Sequence, residues 1–214
     1  MALVDVAASS AVRVLTFDTS NDQIGDVAGV YDPLSNEVTI GGTGYALASD
    51  GNSAAGKLIG GGNNLAAIIE TPSAMVPTGG SATMRSTGDV IYVNQPTSQV
   101  FTGTMNATVT ANFATDRVNI TMNNPNGQID GVAYASGGTI EVNELALNGA
   151  KYQDDNRTTG SVTGFVGATD LNSGSQTVNA VGILGGATAN ETAAVAQIKD
   201  GSRGTAILRV TAKE

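Results

Sequence analysis

Among residues able to do chemistry, the sharpest spacing is Gly51-Asn-Ser-Ala-Ala-Gly56-Lys57-Leu58. It fits G-x-x-x-x-G-K, whose backbone N–H groups and lysine cradle phosphates, but Leu58 stands where a hydroxyl should hold magnesium. Such a loop must also open a long helix, and Gly60–Gly62 ends any helix after one turn. Ser53 to Leu58 therefore reads as a single helical turn within a surface loop. Three acidic and amide-rich loops, Asp18 to Asp22, Asp32 to Glu37 and Asp154-Asp155-Asn156, carry the hard oxygens that calcium takes, without the spacing of a complete calcium loop. Asp and Asn are also ordinary turn formers, which is the simpler reading. Glu141 and Glu144 form the one carboxylate pair of interest for glycoside hydrolysis. With no Trp and five Tyr to stack on a sugar, solvated strand charges explain them better.

Absent residue types narrow the chemistry further. The chain has no His and no Cys, so it lacks the usual neutral-pH base, the usual zinc ligands, thiolate nucleophiles and disulfides. Serine and threonine are plentiful but have no histidine to activate them. Neither a catalytic, a cofactor-binding nor a metal site is expected. A formal net charge of −9 with ten Lys and Arg leaves no basic patch for nucleic acid or an anionic membrane surface. No run is long and apolar enough for a transmembrane helix, and Met1 to Ala11 lacks the basic start and apolar stretch of a secretory signal.

The elements that must carry any site are strands. From Phe101 to Phe113, apolar residues or Gly103 alternate with Thr102, Thr104, Asn106, Thr108, Thr110 and Asn112. After Ala114-Thr115-Asp116 the alternation resumes with Val118, Ile120 and Met122, so the side-chain period is two and a long antiparallel hairpin follows. Asn126-Gly127, Asp130-Gly131, Asn148-Gly149 and Asp200-Gly201 supply turns. Between Ile140/Val142 and Leu145/Leu147 the inward set changes phase, which predicts a β-bulge near Asn143 and Glu144. Further strands read at Gly160 to Gly167, Val178 to Leu184, Ala193 to Lys199 and Thr205 to Ala212. Earlier, Val12 to Phe17, Val27 to Tyr31, Glu37 to Ile40 and Leu65 to Glu70 are short strands between turn clusters.

The fold class is all-β with antiparallel sheets. Aromatic residues are 4 % and glycines number 28, so the core must be built from small side chains in thin layers. A Pro, Gly and Ser-rich stretch from Thr71 to Asp89 suggests two parts: a β-rich N-terminal region, 1–89, and an antiparallel barrel, 90–214.

Two features of the C-terminal half resemble a known family. One is the Thr-rich hairpin; the other is Gly182-Ile-Leu-Gly-Gly-Ala-Thr-Ala-Asn-Glu-Thr-Ala-Ala-Val-Ala196, similar to G-x-F-x-G-x-x-A-x-E-x-x-G-x-F through Gly182, Gly186, Ala189 and Glu191. Leu184, Ala194 and Ala196 replace the two aromatics and a glycine of that pattern. The segment resembles the β-barrel domain of transferrin-binding protein B and related surface lipoproteins of Gram-negative bacteria. The resemblance implies an eight-stranded antiparallel barrel that serves as a non-catalytic platform for binding or display.

Two functions follow as expectations. In the first, the chain is a structural or decorating subunit of an extracellular or viral assembly. Its partners are then copies of itself or other subunits, joined through open strand edges at Val12, Val14 and Phe17. In the alternative, it is a surface or secreted binding protein that captures a host protein or small ligand. Neither reading uses a cofactor, nucleic acid or membrane insertion, and both place the chain outside the cell, on its surface or on a virus particle.

Overall fold

The structure is a computed structural model that describes residues 10–18, 23–32, 34–49, 55–58, 64–69, 76–165, 171 and 176–214. Its described elements are all strands, arranged in two antiparallel sheets. The first holds β1 (Ser10–Asp18), β2 (Gln23–Asp32), β3 (Glu37–Ile40), β4 (Thr43–Ser49), β5 (Ala55–Leu58) and β6 (Asn64–Ile69), and it closes on itself where β6 pairs with β1. The 55–58 segment, expected as a helical turn, is thus a strand, paired with both β4 and β6. Residues 51–54 of the phosphate-loop-like spacing lie outside the described residues.

The second sheet contains β7 (Ser81–Asn94), β8 (Val100–Asn112), β9 (Arg117–Ile129), β10 (Val132–Ala135), β11 (Thr139–Asn148), β12 (Lys151–Gln153), β13 (Thr159–Thr163), β14 (Thr177–Gly185), β15 (Glu191–Asp200) and β16 (Gly204–Lys213). Pairing of β9 with β11 closes eight of them into the barrel β7-β8-β9-β11-β12-β14-β15-β16, while β10 and β13 pair at its margins. Strand β7 runs through the expected boundary at 89/90, so the barrel begins at Ser81.

The Thr-rich hairpin is β8–β9, with Val109 opposite Ile120 and Ala111 opposite Val118. Its inward residues are buried, and its threonines and asparagines line the outer wall. Strand number explains why no inner chamber is expected: eight strands enclose little more than their own side chains. Tyr92, Phe101 and Phe165 gather near one end, with ring centroids 5.3 Å and 5.4 Å apart along the chain of contacts. Met84, Met105 and Met122 fill space between smaller residues.

Strand β1 joins the two sheets. Adjacent residues of a strand point to opposite faces. Val12 and Val14 accordingly pack with Val38 inside the small sheet, whereas Leu15 packs against Val181, Ile183, Ala193 and Val195 on the outer wall of the barrel. Both edges of β1 are also taken: Val14 lies opposite Val27 of β2 and Ala67 of β6, and Phe17 opposite Ile24 and Asn64. The open edge expected along Val12 to Phe17 is therefore occupied within the chain.

Candidate binding surface of the barrel

The family-like segment forms the β14–β15 hairpin. Gly182 lies opposite Tyr152, and a Cβ on Gly182 would come within 2.0 Å of the Tyr152 ring. The glycine thus leaves room for a ring that lies across its strand. The Tyr152 hydroxyl is 2.7 Å from Thr192 Oγ1, which donates to the Ile183 carbonyl at 3.0 Å. Burial drives the phenol's pKa far up, partly opposed by the Thr192 hydrogen bond. Gly186 and Ala189 have φ of +79° and +58° and shape the connecting turn, with Ala189 fully buried. Glu191 sits opposite Lys213. Burial raises its carboxyl above the ordinary range, and the Lys213 charge opposes this only in part. All four motif positions thus fall in or beside one hairpin, where their visible work is packing and turn geometry.

The acidic residues singled out in the sequence are likewise engaged locally. Asp32 Oδ1 accepts the Leu34 N–H at 2.9 Å, as in an ordinary Asx turn. Asp154 Oδ1 accepts the Ala180 N–H at 2.8 Å. Asp155 accepts Arg117 Nη1 at 2.7 Å and the Arg157 N–H at 2.8 Å. The Arg117 bond, followed by the Arg157 one, pulls its carboxyl below the usual range. Residues 19–22 of the first acidic loop lie outside the described residues. Among the described residues, no three Asp or Glu come together as metal ligands would.

The β11 bulge falls between Val142 and Leu145, where the phase change places it. Glu144 occupies its left-handed position at φ +64°. Its N–H donates to Asn119 Oδ1 at 2.8 Å, Arg117 Nη1 donates to its carbonyl at 2.8 Å, and Arg157 Nη2 to its carboxylate at 2.9 Å. Glu141 instead accepts from Ser161. The two carboxylates hold strands together separately and do not converge on a substrate position.

Open space lies on the outside of the barrel. A groove of about 500 Å3 opens where β9 carries extra residues opposite Met105 of β8, with the register passing from Thr104/Asn126 to Asn106/Asn123. A second depression, about 380 Å3, lies at the far end of β8, where Val76 and Pro77 pass Phe113 and Leu147. The first was hidden in the sequence because Asn126-Gly127 reads as a turn. In the structure Gly127 faces Gly103 within the ladder, and a Cβ on Gly127 would lie 2.6 Å from the Gly103 Cα. The true turn is Asp130-Gly131, with φ of +50° and +84°.

No protein-family model and no curated protein sequence matches this chain. Solved structures do. A transferrin-binding protein B double mutant from Haemophilus parasuis Hp5 is 14 % identical, with a TM-score of 0.63 over 94 % of this chain and 44 % of that one. Intact Ap-TbpB, with its N and C lobes, is 16 % identical, with a TM-score of 0.63 over 100 % of this chain and 47 % of that one. The isotype 1 protein from serogroup B Neisseria meningitidis is 13 % identical, with a TM-score of 0.58 over 95 % and 43 %. The chain spans a little under half the length of each. The likeness includes the N-terminal sheet as well as the C-terminal barrel in which the sequence pattern lies. Both sheets of this chain have the fold seen in transferrin-binding protein B.

Proposed function

We propose that this chain is a non-enzymatic binding module, displayed on the cell surface or secreted, that captures a host protein through the loops and outer wall of its barrel. The observation that carries this reading is the overlap of nearly the whole chain with proteins named for binding transferrin. Side-chain filling of the barrel supports it too, because recognition then falls on the exterior. The assembly-subunit reading has no counterpart among these folds, and the strand edge on which it rested is occupied.

The test is biolayer interferometry of the immobilised full chain against iron-loaded transferrin, with serum albumin as control. Saturable one-to-one binding at or below about 1 μM is expected for transferrin alone. A response no larger than that of albumin would overturn transferrin capture. Surface labelling of intact producing cells, with assay of their medium, tests location. Retention of the chain inside the cells would overturn display and secretion.

A further inference from the structure

We propose that the groove at the β8–β9 bulge binds a neutral, hydroxyl-rich ligand of the saccharide class. This deepens the binding-module reading and rests on it only for placing the groove outside the cell.

The lining is polar and uncharged. Its polar residues are Thr87, Thr104, Asn106, Asn124, Asn126 and Ser136, and no charged residue lines it. Hydroxyls and amides both donate and accept, so they match a ligand whose own hydroxyls do the same. A carboxylate or ammonium ligand would find no counter-ion there. The volume lies within the usual range for small-ligand sites.

The groove is also built, with some of its groups held and others left open. Asn124 stands at φ +55°, with its amide nitrogen 3.0 Å from Asn123 Oδ1. Its backbone N–H donates to the Gly138 carbonyl at 3.2 Å, and the Ser136 N–H donates to the Pro125 carbonyl at 3.3 Å. Ser136 Oγ accepts the Gly138 N–H at 3.0 Å. Thr87 and Asn106 are neighbours in register on β7 and β8 and both line the groove. Among the described residues, the side chains of Thr87, Asn106 and Asn126 have no hydrogen-bond partner, so their donors and acceptors remain available.

Beyond the groove, Thr108 and Thr110 continue the row of hydroxyls along the outer face of β8, with Thr121 of β9 and Arg85 of β7 opposite Thr108. A linear saccharide longer than the groove would therefore meet more hydroxyls as it extends along this strand.

The test is a titration of the 15N-labelled full chain with maltotriose, N,N′-diacetylchitobiose and mannobiose, with glucuronate as an anionic control. The probes are the side-chain amide signals of Asn106, Asn124 and Asn126. At least one neutral saccharide should shift these signals saturably, with Kd on the order of 1 mM, while glucuronate does not. Asn106→Asp and Asn126→Asp keep the side-chain shape but replace the amide donors with charge. Each should weaken binding roughly tenfold, the effect of one lost hydrogen bond. Unchanged melting temperatures would show that both variants fold.

No saturable shift with any of the three neutral saccharides, shifts confined to residues elsewhere, or equal binding of glucuronate would overturn the proposal. Transferrin interferometry on the same variants separates the two readings. Saccharide binding without transferrin binding leaves the groove assignment standing and removes transferrin capture. Transferrin binding without saccharide binding does the reverse.

Discussion

At the residue scale, Gly182 fits closely against the ring of Tyr152. Gly182→Ala should destabilise the chain by about 3 kcal/mol, because the new Cβ has no room beside the ring. Combining it with Tyr152→Ala in a double-mutant cycle should recover much of that loss; simple additivity in denaturant melts would refute the contact. Glu191 makes a pH-dependent prediction. Its folded pKa is raised above the unfolded value near 4.5, so its carboxyl stabilises the fold most below that pH and loses this contribution as pH rises through the folded value. Glu191→Gln should therefore raise the melting temperature at pH 7, with the gain vanishing below about pH 4.5. A gain that persists in acid would point to another cause.

At the element scale, Arg117 pins the β11 bulge, since its guanidinium reaches both the Glu144 carbonyl and Asp155 from a position 15 % exposed. Arg117→Met should cost about 2 kcal/mol in chemical denaturation at pH 7 through loss of charge-assisted hydrogen bonds. Asp155 has a lowered folded pKa, so its stabilisation is present above the ordinary carboxylate range and disappears as pH falls through the lowered value. The cost of Arg117→Met should shrink accordingly in acid, and an equal cost at every pH would contradict the assignment. The strands and this bulge were legible because period-two alternation and its phase change are local signals. The groove was not, because it depends on the distant register of Gly103 against Gly127, and Asn126-Gly127 taken alone looks like a turn. One missed signal was present: the unbroken apolar run Ala193 to Ala196 marks a strand covered on both faces, as β15 is by the barrel interior and by Leu15.

For the whole molecule, the sequence made the all-β class and the C-terminal barrel readable but left the role of its first third misplaced. Val12 to Phe17 looks like an edge strand, since nothing in its own residues tells that β2 and β6 flank it or that the barrel covers Leu15. Val14→Pro removes a ladder donor and a buried side chain from the centre of the small sheet. It should unfold that sheet while the barrel keeps its hydrogen-exchange protection. Simultaneous loss of protection in both sheets would show that they form one cooperative unit.

Among the described residues, both sheets close on themselves and leave no long strand edge to propagate an assembly. Light scattering of the purified full chain tests this most directly. A mass of 21.4 kDa that stays constant with concentration is expected. Ordered particles, filaments or a mass that grows with concentration would contradict it.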